Sequence, residues 1–195
     1  MLRPSLPLET ARLTLRPFCA DDLHPLHAMQ SLPEVARYLY WSPRTLDEVR
    51  PALYRKTQET FLEGEGQGLS LAVVLRETGA LLGDVSMTLR SREHRTGEVG
   101  YVFHPDCGGK GYATEAAEVM LRLGFEEAGL HRIIGRLDGR NTKSARLLER
   151  LGMRREAHFV QNEFVKGEWA DEVVYAILDH EWKARQAESP TPAAG

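Results

Sequence analysis

Leu13 and Leu15 alternate with polar neighbours over residues 11–16, and that period of two predicts a first strand. From 22 to 30 the pattern turns helical, with Leu23, Leu26 and His27 along one side and Pro25 close to the start, where a missing amide does least harm. A second helix is expected from Leu46, because Thr45 and Glu48 have the reciprocal spacing of a capping box; Pro51 should kink or interrupt it. Residues 69–75 and 81–89 read as a hairpin turning at Thr78-Gly79. Thr96–Phe103 reads as a further strand, with Glu98, Gly100 and Val102 on one face and Val99, Tyr101 and Phe103 on the other.

A Gly-rich turn from Asp106 then runs into a helix whose Ala113, Ala116, Ala117, Met120, Leu121 and Gly124 recur at helical spacing. Beyond it the pattern gives a strand over Arg132–Asp138 and a short helix over 142–151 stopped by Gly152. A last hairpin of 155–164 and Glu168–Leu178 turns at Lys166-Gly167. Strands that first meander and then alternate with helices imply an α/β class with a mixed sheet. Residues 1–183 read as a single domain, and the small, polar, Pro-containing stretch 184–195 as a disordered tail.

Composition narrows the field. The 195 residues carry 25 Lys and Arg against 28 Asp and Glu, a net charge of −3 that argues against a dedicated nucleic-acid binder. Cys19 and Cys107 are the only cysteines and lie far apart, which argues against a disulfide scaffold or a cysteine-based zinc site and suits a reducing compartment. No run has signal-peptide character or approaches the ~20 apolar residues of a membrane span, so a cytoplasmic chain with no membrane partner is expected. His24 and His27 share a helix face but lack a third ligand, and no metal is expected.

The informative feature is Gly108-Gly109-Lys110-Gly111-Tyr112-Ala113-Thr114 between a strand and a helix. Glycines let the backbone fold tightly with its amides inward, and a helix start adds partial positive charge, so the turn suits a pyrophosphate. Lys110 adds a compact cation, and the small Ala113 allows close backbone approach. A P-loop is rejected because Gly111, not Ser or Thr, follows Lys110; the dinucleotide fingerprint fails because Thr114 stands where its last glycine belongs.

In context these residues resemble the GNAT superfamily of acetyl-CoA-dependent N-acetyltransferases, and within it the RimJ/RimL-type ribosomal-protein branch. The resemblance runs through residues 10–18 with 21–23, 98–105, 109–116, 129–133, 141–153 and 166–175, nearly the whole chain. It implies a mostly antiparallel sheet of about seven strands, splayed in the middle and flanked by helices, with acetyl-CoA entering the split. The pyrophosphate would lie on amides from about Gly109 to Thr114, with Gly108 standing where the family often has Gln or Arg. The pantetheine arm would extend the sheet along Tyr101, Val102 and Phe103 and meet Asn141, while an amide near Val102 would polarise the thioester carbonyl.

The same resemblance makes Glu98 the candidate base and Ser144 the group facing the leaving thiolate, since the position of the family's acidic tyrosine holds Leu148. Tyr40 and Trp41 are expected in the acceptor pocket. Plainer roles are open to each: a salt bridge from Glu98 to Arg90, Arg92 or Arg95, local backbone bonding by Ser144, helix capping by Asn141 and core packing by the aromatics. Trp169 and Tyr175 read as core or acceptor wall, and Cys107 lacks the histidine that a nucleophile would need.

The implied reaction is direct acetyl transfer in a ternary complex, foremost to a protein N-terminal α-amine. The alternatives are a small-molecule amine (aminoglycoside, polyamine or amino-acid derivative), a non-catalytic acetyl-CoA sensor and a nucleotide-phosphate enzyme. The partners expected are acetyl-CoA and the amine, in a monomer or homodimer.

Overall fold

The computed structural model describes residues 2–188, and its strands form one eight-stranded sheet in the order β1-β2-β3-β4-β5-β6-β8-β7. β1 (Leu8–Glu9) is a two-residue edge on β2 (Leu13–Arg16), too short to leave an alternation in the sequence. β3 (Gly68–Leu75), β4 (Leu81–Ser91) and β5 (Thr96–Phe103) continue as an antiparallel meander. β5 reaches its parallel neighbour β6 (Arg132–Asp138) through the crossover helix α4 (Tyr112–Arg122). β7 (Arg154–Val165) and β8 (Glu168–Leu178) form the last hairpin, with β8 inserted between β6 and β7. Its turn residues Lys166 and Gly167 have φ of 52° and 86°, the left-handed pair that a two-residue hairpin turn requires.

The sheet is covered on both faces. Leu13, Leu15, Leu71, Val85, Met87, Val99 and Ile133 point to one side and bury against Met120 and Leu121 of α4 and Leu147 and Leu148 of α5 (Thr142–Arg150). On the other side Phe18 and Ala72 meet Leu26 and Met29 of α1 (Leu23–Gln30) and Val49 and Leu53 of α3 (Leu46–Gln58). The short α2 (Pro33–Ala36) lies between those two helices in sequence.

Gly135 sets the spacing of α5 on β6. A Cβ there would lie 2.8 Å from a methyl of Leu148, so only glycine lets the helix come this close. Leu148, buried in that contact, is a core residue and offers no proton donor.

Three expectations are corrected. Pro51 does not interrupt α3, which runs unbroken to Gln58. Pro51 and Asp47 are both exposed, so water can take the carbonyl that loses its amide, and the Thr45–Glu48 capping box forms as expected. A helix, α6 (Asp179–Glu188), occupies residues 184–188 of the expected tail; 189–195 lie outside the described residues. Its buried anchor is Trp182, which stacks on Phe125 at 5.9 Å and donates Nε1–H to Glu126 at 3.0 Å. Trp169 is exposed rather than in the core, edge-on to Phe164 at 5.2 Å.

The passage from β2 to α1 is tied by a buried carboxylate. Arg16 forks onto Asp22 with two hydrogen bonds of 2.7 Å, and the Cys19 amide adds a third at 2.9 Å. Burial disfavours the charge on Asp22, but the Arg16 hydrogen bonds and the Cys19 amide outweigh it and hold the carboxyl below its usual range. Asp22→Asn is therefore expected to cost about 2–3 kcal/mol in denaturant unfolding at pH 7, somewhat below a fully buried pair because Arg16 keeps contact with water. With the folded pKa below the unfolded one, this stabilisation is complete above about pH 4 and lost as pH falls through the lower folded value. The gap between wild type and variant should close only in that acid range; a gap independent of pH would refute the ionic account.

Candidate active site

β5 is paired with β4 along its whole length, and β6 with β8 over all seven of its residues. Between β5 and β6, only Thr96, Gly97 and Glu98 find partners, at Arg132, Ile133 and Ile134. The strands then part. Beyond Glu98 the backbone groups of β5 that face away from β4 have no neighbouring strand among the described residues, so Tyr101, Val102 and Phe103 present an unpaired edge inside the sheet. On the α5 side the gap is bridged by Tyr101, whose hydroxyl donates to the Ser144 carbonyl at 3.2 Å. Burial pushes that hydroxyl up to about 12, so it stays protonated across the physiological range.

The Gly-rich turn lies at the end of this edge. The amides of Cys107 and Gly108 are spent on a tight turn, bonded to the carbonyls of His104 and Pro105. Gly108 therefore shapes the loop and offers no free amide. The next six amides, from Gly109 to Thr114, find no backbone acceptor among the described residues. Gly109 and Gly111, with φ of 76° and 80°, aim this run of donors around the start of α4.

Arg12, absent from the sequence-based site, braces the loop from β2's side. It donates to the Lys110 carbonyl at 2.8 Å and to Glu115 at 2.8 Å, and stacks on the Tyr112 ring at 4.6 Å. Thr10 adds a 2.6 Å bond to Glu115. Burial works against the Glu115 charge, but the bonds from Thr10 and Arg12 prevail and keep its carboxyl below its usual range.

The polar candidates have these surroundings. Asn141 accepts from the Ser144 amide at 3.1 Å and so caps α5. The Ser144 hydroxyl makes no bond to the local backbone among the described residues, which leaves it free to meet a sulfur. Glu98, partly buried, pairs with Arg90 at 2.8 Å through Oε2, one of the arginine partners open to it from sequence, and that pairing counts against a base. Burial pushes the Cys107 thiol up, the wrong direction for a nucleophile. Among the described residues no group of three His, Cys, Asp or Glu is placed to hold a metal ion.

Glu98 and Val102 share the face covered by α1–α3, and residues 37–45 cross that face as a strap. At one end Tyr40 donates to Glu163 of β7 at 2.7 Å; loss of water around its hydroxyl and the Glu163 carboxylate push it up to about 12. Glu163 shares Arg136 of β6 with buried Glu172, which also accepts from Asn162 at 2.6 Å. At the other end Trp41 stacks under Arg44 at 4.4 Å and lines a cavity of about 210 Å³ that reaches Val102. Tyr40 and Trp41 thus stand on opposite sides of the split. Sequence reasoning missed Arg136, Glu163 and Glu172, whose meeting depends on the β6–β8–β7 register, and the arginines of the cavity.

The model of the acetyltransferase (GNAT) domain matches residues 12–154, and that span contains both the loop and the split. The N-acetyltransferase YnaD of Bacillus subtilis (strain 168) is 35% identical over 175 residues, covering 90% of this chain and 98% of that one. Spermidine N(1)-acetyltransferase of Escherichia coli (strain K12) is 26% identical, covering 87% and 88%. The crystal structure of a GNAT-family acetyltransferase from Bacillus anthracis superposes with a TM-score of 0.80 at 33% identity, covering 90% of this chain and 99% of that one. The chain belongs to the GNAT family and is an N-acetyltransferase.

Proposed function

We propose that this enzyme moves the acetyl group of acetyl-CoA directly to a primary amine on a small molecule, which enters from the α1–α3 face of the split. The observation that carries the coenzyme half is the run of six unspent amides from Gly109 to Thr114, beside an unpaired strand edge. A diphosphate suits the first, and an extended arm with amide groups suits the second. The acceptor half rests on the cavity beside Val102, whose volume of about 210 Å³ under a strap fits a small amine better than a chain terminus. The spermidine enzyme among its relatives also acts on a small amine. The likeness of residues 10–23 to the RimJ/RimL-type opening supports a second reading, a protein N-terminus.

In the transfer an N–C bond forms, the C–S bond breaks, the nitrogen loses a proton and coenzyme A leaves as the thiol. Holding both reactants across one strand supplies much of the acceleration, up to ~7–11 kcal/mol for well-oriented partners. Glu98 uses only Oε2 on Arg90, so Oε1 can take the amine proton through a water. The Ser144 hydroxyl stabilises the departing sulfur. Arg12 is a positioning residue: it touches no reactant and fixes the loop whose amides do.

Release of free thiol from acetyl-CoA with a panel of small amines tests the reading; calorimetric uptake of acetyl-CoA without release from any amine would support a sensor instead. Glu98→Gln should lower kcat/KM about 100-fold at pH 7, with the deficit shrinking as pH approaches the amine pKa and the substrate loses its proton unaided. An unchanged profile removes Glu98 as the base. Arg12→Ala should raise KM for acetyl-CoA about tenfold with kcat nearly kept, as expected of a loop that has lost its brace; a loss confined to kcat would contradict the positioning role.

A further inference from the structure

The charges on the acceptor face fall into two halves of opposite sign. On the β7 side Arg136 lies between Glu163 and Glu172, Tyr40 and Asn162 satisfy the remaining oxygens, and Glu98 has Arg90. One arginine between two carboxylates leaves this half with a net negative charge, although its oxygens are already hydrogen-bonded.

The α3 side is different. Its cavity is lined by Arg44, Arg55 and Lys56 together with Glu59, Asp84, Gln30, Trp41 and Val102. Lys56 is paired with Asp84 at 3.1 Å. Arg44 and Arg55 have no carboxylate partner among the described residues: Arg44 is held by Gln30 Oε1 at 2.8 Å and by the Trp41 ring, and Arg55 stands exposed. Burial lowers the Arg44 pKa, and repulsion from Arg55 lowers it further. Glu59 lines the same cavity without an ion pair to either guanidinium among the described residues; burial pushes its carboxyl up, against the pull of Lys56 and Arg55. Two guanidiniums without an ion-pair contact among the described residues, one fixed by a ring and an amide, therefore converge on a space that touches the strand carrying the unpaired edge. Asp84 Oδ2 is also buried without a partner, and an N–H or O–H donor is the kind of group that would satisfy it.

We infer that this cavity binds a compact oxyanion, carboxylate or phosphate, carried by the acceptor itself, so that the amine acetylated belongs to a small anionic molecule and not to a polycation. The inference rests on the proposed acetyl transfer across β5 and names the substrate class for it. Arg44 supplies directional N–H donors from a prepositioned plane, Arg55 closes over the anion from the mouth, and Lys56 remains with Asp84.

Matched amines decide it. Thiol release is measured at constant ionic strength with β-alanine and phosphoethanolamine as anionic acceptors, ethanolamine as the neutral one and spermidine as the polycation. At least tenfold higher kcat/KM for an anionic amine than for ethanolamine is expected, and the better of the two identifies the oxyanion. Arg44→Gln and Arg55→Gln should each cut that preference about tenfold, and Arg55→Glu should move it toward spermidine. Ethanolamine or spermidine equalling the anionic amines overturns the inference while leaving acetyl transfer standing.

A second measurement does not depend on turnover: the thermal midpoint of the wild type with acetate or phosphate, against chloride of equal ionic strength. A rise of a few degrees that is lost in the Arg44→Gln/Arg55→Gln double variant supports the oxyanion site; no rise in the wild type counts against it. Should acetyl-CoA neither bind nor release thiol, the proposed function fails, and the thermal measurement still judges the cavity.

Discussion

Two strands that share only three paired positions govern the chemistry of this protein. β5 is fully committed to β4 and β6 is fully committed to β8, so each is held from its outer side while the right-handed twist of the sheet carries them apart beyond Glu98. An edge within a sheet leaves backbone donors and acceptors that must find other partners. Here they lie directly upstream of the turn that gathers six further amides at the start of α4. A ligand with an extended arm and a diphosphate matches both without any side chain having to change. The contacts that stiffen the split follow from this arrangement: Tyr101 ties β5 to α5, Gly135 lets α5 press onto β6, and Arg12 anchors the loop to β2.

Stiffness matters because the reactants gain their advantage from being held. Arg12 and Glu115 form a paired, hydrogen-bonded unit in which Thr10 also takes part, so the loop is fixed by the edge of the sheet and not only by its own glycines. The same logic operates across the split. The strap over residues 37–45 is anchored at Tyr40 on β7's Glu163 carboxylate and, through Arg44, on Gln30 of α1. Its position therefore fixes the width available to an acceptor.

Local signals carried much of this into the sequence. Alternation located Thr96–Phe103, Arg132–Asp138 and Glu168–Leu178 at their observed bounds, because half-buried strands impose a period of two. The Thr45–Glu48 spacing and the glycine turn are short-range devices and were legible for that reason. Features set by distant register were not. Arg136 meets Glu163 and Glu172 only because β8 inserts between β6 and β7, and Arg44 and Arg55 meet Val102 only because α3 lies over the β4–β5 end of the sheet. α6 escaped notice because its residues are polar apart from the buried Trp182. Trp169 misled in the opposite sense: its size suggested the core, but the end of the last hairpin projects beyond it.

The two charged halves of the acceptor face also differ in what they cost to maintain. Glu172 is 5% exposed, and a carboxylate so far from water is costly unless it is paired; Arg136 and Asn162 bind it, and Arg136 links it to Glu163 and Tyr40. That network works as a clamp on β6, β7 and the strap. Arg44 receives no such return. It is half-buried against Trp41 with a neutral amide as its hydrogen-bond partner, and a second guanidinium faces the same space. Glu48 and Asp84 offset the repulsion between the two arginines only in part, and that repulsion is stronger in a partly dry cavity than in open solvent. An arrangement that raises the free energy of the empty site lowers the cost of filling it with an anion. The asymmetry between the halves is therefore what gives the acceptor side its direction.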